Sequence, residues 1–157
     1  ARPDSAEVAL GASARELLEQ GIAIWREIGD HASLAHSLNN LGDVLLEMKR
    51  ETEARSHYLE ALGVAKKAGL LPIMLDALLG EAILRLNAGE KEFAIQALAH
   101  ILKHPSSTQV TRNRAERLYA DGLGAGLEAA RDSFREDAFD RLVADVLGKH
   151  ASSQALA

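Results

Sequence analysis

The chain contains no cysteine, which excludes disulfides and thiolate metal sites. Proline is scarce, at 3 residues, and aromatic residues make up only 4%. Both shortages favour helix over sheet, because sheets draw on aromatic and β-branched side chains. Long apolar runs are missing too. Runs such as Ile73–Leu75 and Ala77–Leu79 are far too short to span a bilayer. There is no basic excess: the net charge is −5, which argues against non-specific binding to nucleic acid or anionic membrane. No charged-then-apolar leader opens the chain, and we expect a cytoplasmic location with no membrane partner. The first residue is Ala rather than Met, as expected of a processed chain or a piece of a longer one.

What the chain does have is an internal repeat. Ala14, Ala54 and Ala94 are spaced 40 apart, as are Leu18, Tyr58 and Leu98, and Ile22, Leu62 and Leu102. Gly29 and Gly69 share the spacing, as do Leu38 and Leu78. A period of this length is the mark of a stacked array, in which no unit buries its apolar face alone. At 157 residues the chain is long enough for one such domain with a real core.

Helical periodicity places the elements. A lead-in covers residues 1–12. A first helix is expected from about Ser13 to Ile28, carrying Leu17, Leu18, Ile22 and Trp25, and ending at Gly29-Asp30. Further helices are expected at about Ser33 to Met48, Thr52 to Lys67, Pro72 to Leu86 and Glu90 to Lys103. Ser106 and Gln109 have capping-box spacing ahead of a helix at about Thr108 to Ala120, and Ser133 with Glu136 ahead of a last one. Gly122 to Gly126 reads as a connector, because it follows a helix and lacks the Lys-Ser or Lys-Thr of a phosphate loop. The units are then 13–29 (partial), 30–69, 70–104 and divergent helices at 105–148, followed by a tail at 149–157 whose residues Ala151–Ala157 are expected to be disordered. The expected fold class is all-α: a right-handed superhelical stack of antiparallel helix pairs, about seven or eight helices. Small residues at Gly42, Ala54, Ala61, Ala82 and Ala94 mark where helices must approach closely.

The set Leu38, Leu41, Gly42, Leu45, Ala54, Tyr58 and Ala61 resembles the tetratricopeptide repeat. Leu38 stands where that family has Trp, Lys66 where it has its closing Pro, and Leu79-Gly80 falls two residues early relative to Ala94. The segments Ala94 to Ser107 and Thr111 to Leu118 are similar to the C-terminal ends of large multidomain bacterial regulators. Those proteins join a DNA-binding or cyclase module, a switch ATPase and a helical-repeat sensor arm. This second resemblance covers about residues 11–148 and implies that the chain is the repeat arm: a protein-interaction or sensor module, not an enzyme, with no cofactor. Its partner would be a protein or peptide.

In the repeat family, the groove is lined by first-helix positions flanking the Leu-Gly pair. The resemblance therefore implies a groove of His36, Asn39, Asp43, Leu46 and Glu47, and one period on of Asp76, Leu79, Ile83, Leu86 and Asn87. None of these is basic, which disfavours clamping of a peptide carboxylate. Lys103, Arg112, Arg114 and Arg117 form a basic cluster, and a DNA-associated regulatory domain is the alternative reading; Glu116 and Asp121 are the expected partners of its arginines. His100 and His104 lie four apart on one helix, but no carboxylate completes a metal triad, so no metal site is expected. The first helix lacks a pair-mate, so Leu17, Ile22, Ile24 and Trp25 are expected to offer an apolar face for a homodimer, the competing reading being that residues 1–10 fold back to cap the helix and leave a monomer.

Overall fold

The computed structural model describes residues 5–120 and 136–155. Among them are seven helices and no strand: α1 (Ser5–Ile28), α2 (His31–Glu47), α3 (Glu51–Ala68), α4 (Leu71–Asn87), α5 (Lys91–Lys103), α6 (Gln109–Ala120) and α7 (Glu136–Ala155). The all-α helical stack expected from the repeat is what is found.

The 40-residue period resolves into a unit half as long. Gly29, Lys49, Gly69 and Gly89 follow one another every 20 residues, and all four take positive φ, at 74°, 62°, 69° and 85°. Each is followed by a residue whose N–H returns to the carbonyl five positions back. These bonds are Asp30 to Trp25, Arg50 to Leu45, Leu70 to Ala65 and Glu90 to Arg85, at 2.8–3.1 Å. This is the Schellman closure, which satisfies otherwise orphaned helix-end carbonyls and needs a left-handed residue before the donor. Glycine takes that conformation freely; Lys49 takes it against the steric preference of an L side chain.

From α1 to α6 consecutive helices pack as antiparallel neighbours, and α2, α4 and α6 also meet in series as one layer. Between the layers lies a core of Leu38, Leu41, Leu45, Leu62, Leu75, Leu78, Leu79, Leu98 and Ile101, each at most 1% exposed. Ala54, Ala61, Ala65, Ala94 and Ala97 are fully buried where α3 and α5 approach their neighbours. α7 returns to pack on α3 and against α5, with the Phe139 ring tilted against those of His100 and His104.

Three expectations need correction. α1 starts at Ser5, so the lead-in is helical for most of its length, and α7 continues to Ala155, through most of the stretch expected to be a disordered tail. The cap of α6 is Thr108, whose Oγ1 accepts from Thr111 N at 3.1 Å; the Ser107 hydroxyl, by contrast, reaches the Ile101 carbonyl. Gly122 to Gly126 and Ser133 lie outside the described residues. No helix among the described residues is long and apolar enough to cross a membrane.

Candidate functional site on the α2/α4/α6 face

The site is organised by one aromatic ring. Tyr58 of α3 is 1% exposed and passes between α2 and α4 at two glycines. A methyl group on Gly42 would lie 2.6 Å from its Cε1, and one on Gly80 would lie 2.4 Å from Cε1 and Cζ. No alanine fits at either place without displacing the ring. This accounts for Leu79-Gly80 falling early: Gly80 serves Tyr58, while Ala82, buried at 1%, holds the position one period after Gly42.

The ring carries its hydroxyl through the core to Asp43 on α2, where it donates to Oδ1 at 2.6 Å. Arg114 of α6 grips the same carboxylate with both ends of its fork, Nη1 to Oδ2 at 2.9 Å and Nη2 to Oδ1 at 3.0 Å. A bidentate arginine–carboxylate pair fixes orientation as well as charge. Burial, reinforced by Asp43, holds the Tyr58 phenol protonated far above its ordinary range. Beside this knot, the Thr111 hydroxyl of α6 donates to Asp76 of α4. Burial raises the Asp76 pKa, and the Thr111 hydrogen bond partly opposes the shift.

Asp43 and Asp76 of the expected groove are thus brought together by α6, which ties α2 and α4 across one face. His36 and Glu47 stand exposed, and Leu46, Ile83 and Leu86 are half-buried. Asn87 is exposed and donates to Glu51 Oε1 at 2.9 Å. Leu79 is fully buried and belongs to the core. Asn39 is 4% exposed, with its Oδ1 buried and unpartnered.

Reading the groove as lacking any base missed Arg114. The signal was available in register: Arg114, Asp76 and His36 are each the sixth residue of their helices, α6, α4 and α2. The expectation that Arg114 pairs with a neighbour on its own helix is corrected by its pairing with Asp43. The rest of the basic cluster is also engaged. Arg112 donates to the His104 carbonyl at 3.0 Å, and Arg117 to the Asn113 carbonyl at 3.3 Å.

A second polar cluster lies under α4. Glu81, 2% exposed, accepts from Arg85 Nε at 2.7 Å and from Arg55 Nε at 3.2 Å. Arg85 also reaches Glu90 and lies over the Phe93 ring at 4.1 Å. These contacts satisfy a buried carboxylate, and they place no free reactive group on the surface. No group of three metal-ligating side chains is found among the described residues. Gln96, His100, Arg141, Leu142 and Asp145 line an open hollow of about 440 Å³ between α5 and α7.

The fold and face define a stack of helical hairpins whose first layer carries a polar strip. Residues 10–67, spanning most of α1 through nearly all of α3, match the tetratricopeptide repeat family model. That is well under half of the chain, and it falls on the segment whose Leu41, Gly42, Ala54, Tyr58 and Ala61 carry the resemblance. No curated protein and no solved structure matches the chain. Tetratricopeptide repeats generally mediate protein–protein interaction and are typically non-catalytic scaffolds.

Proposed function

We propose that the chain is a protein-interaction module that receives a protein or peptide segment on the α2/α4/α6 face. The observation that carries this reading is the strip itself. Asp43 and Asp76 are held in fixed geometry by Arg114, Tyr58 and Thr111, with exposed His36 and Glu47 and half-buried Ile83 around them. A preorganised polar strip beside half-buried Leu46 and Ile83 offers orientation and apolar contact together, which is what a recognition surface needs. The three carboxylates against one arginine favour a segment that brings positive charge.

The resemblance of 94–107 and 111–118 to bacterial regulator arms supports placing this module in a cytoplasmic signalling or transcriptional regulator, where it senses a partner. DNA association through the basic cluster is the weaker reading, because Arg112, Arg114 and Arg117 all have intramolecular partners. Self-association through α1 is a further contact expected of the module.

A photo-reactive residue at exposed Glu47, compared with one at exposed Lys66 on α3, tests the reading in cells. Adducts from position 47 that vanish when His36 and Ile83 are replaced support it. Equal adducts at both positions, or none, contradict it.

A further inference from the structure

α1 presents an apolar stripe that no other helix covers among the described residues. Leu10, Leu17, Ile24 and Ile28 are exposed at 73%, 68%, 52% and 62%. With half-buried Ala14 and Gly21 they fall at 10, 14, 17, 21, 24 and 28, alternating steps of four and three. That is the seam of a two-helix coiled coil. The adjoining side of α1 is occupied: Ile22 is 4% exposed, and Leu18 and Trp25, which border the stripe on one flank, pack on the core. The face expected to dimerise therefore divides. Leu17 and Ile24 lie on the open stripe, while Ile22 and Trp25 are committed to α2.

The stripe's own pattern says what covers it. Turned end for end about the point between Leu17 and Gly21, it fits itself. Leu17 meets Gly21 and Gly21 meets Leu17; Ala14 meets Ile24 and Ile24 meets Ala14; Leu10 meets Ile28. Each inner layer pairs a large side chain with a small one, as close packing between two helices requires. In parallel alignment the same residues would meet their own copies, Gly21 on Gly21 and Ala14 on Ala14, leaving gaps between bulky layers. Charge does not oppose the pairing. Ser13, Gln20 and exposed Glu27 flank the seam on its open side, and end for end Glu27 lies beside Ser13 of the other copy rather than beside another carboxylate; Arg15 is bonded to Glu19 at 2.7 Å, and Arg26 to Glu60 at 2.5 Å.

We propose that a second copy of this chain covers the stripe, as a two-fold dimer with antiparallel α1 helices. This deepens the self-association named above, and it is independent of the α2/α4/α6 face.

The cysteine-free sequence makes the test direct. Chains carrying Leu10→Cys and Ile28→Cys, mixed and mildly oxidised, are expected to give a hetero-disulfide, while Leu10→Cys alone stays largely uncrosslinked. Sedimentation is expected to show a concentration-dependent dimer that Leu17→Glu weakens about tenfold or more, because it would bury a charge at the seam. Leu17 is exposed in the single chain, so its replacement should leave the helical circular dichroism unchanged. Efficient self-crosslinking of Leu10→Cys overturns the antiparallel geometry while leaving self-association standing. A monomer at every concentration overturns both, and a preceding helix or another protein would then be the occupant of the stripe.

Discussion

The units at 30–69 and 70–104 share their turns and differ at their centres. Both run helix, left-handed turn, helix, with Lys49 and Gly89 closing the first helix of each in the same way. In the first, Tyr58 fills the gap between neighbouring helices; the residue one period later is Leu98, and both are 1% exposed. The ring demands glycine on both sides, at Gly42 and Gly80, whereas in the second unit the position one period after Gly42 is Ala82. What the ring adds is reach. A buried phenol crosses the core and places a donor on Asp43, where Arg114 joins it. Leucine can pack the second unit equally well but delivers nothing to a surface. The polar strip thus exists where it does because one core position is aromatic.

The comparison breaks most visibly at that position. Tyr58→Ala should cost roughly 3–5 kcal/mol through the cavity it leaves, and should also loosen α6. Leu98→Ala should fall within roughly 2–5 kcal/mol without disturbing Asp43. Chemical denaturation gives the two costs, and protection of α6 amides from hydrogen exchange separates the two variants.

Next come the glycines. Gly80→Ala should destabilise by roughly 1–3 kcal/mol, because the ring, buried between two helices, has nowhere to move. Ala82→Gly in the same helix should cost only about 1 kcal/mol, the helix-propensity term. Equal costs would show that the ring does not need its gap.

The turns predict a gain. Lys49 is the one non-glycine residue with positive φ among the described residues. Lys49→Gly should raise stability by about 1 kcal/mol, and Gly69→Ala should lower it by a similar amount, both read from denaturation midpoints. The smallest effect is on pH dependence. Burial lowers the pKa of His57 on α3 and of His100 on α5, the latter helped by His104. Both then bind protons less readily folded than unfolded. Stability should be full above the ordinary histidine value of about 6.5 and fall as pH drops below it. His57→Gln with His100→Gln should flatten that slope.

Much of the fold was legible because periodicity and punctuation agree. Gly29 and Gly69 gave the helix ends, and the apolar spacing gave the buried faces. The 20-residue half-period was hidden because Lys49 fills a position elsewhere held by glycine; only its φ reveals the equivalence. The site was less legible. The resemblance pointed to Asp43 and Asp76, but Arg114 lies 71 positions from Asp43, and only the stacking of α6 brings them together. Leu79 counts as a groove position by spacing alone; its burial depends on how α4 rotates against both neighbours, which spacing does not specify.

The central claim is that α6 is fastened to α2 through the Asp43 carboxylate, making one ordered strip from separate helices. A double-mutant cycle with Asp43→Asn and Arg114→Gln tests it most directly, read as unfolding free energy. The bidentate contact predicts a favourable coupling of about 0.5 kcal/mol or more, reduced at high salt. Strictly additive single mutants, with no coupling at any salt concentration, would contradict it.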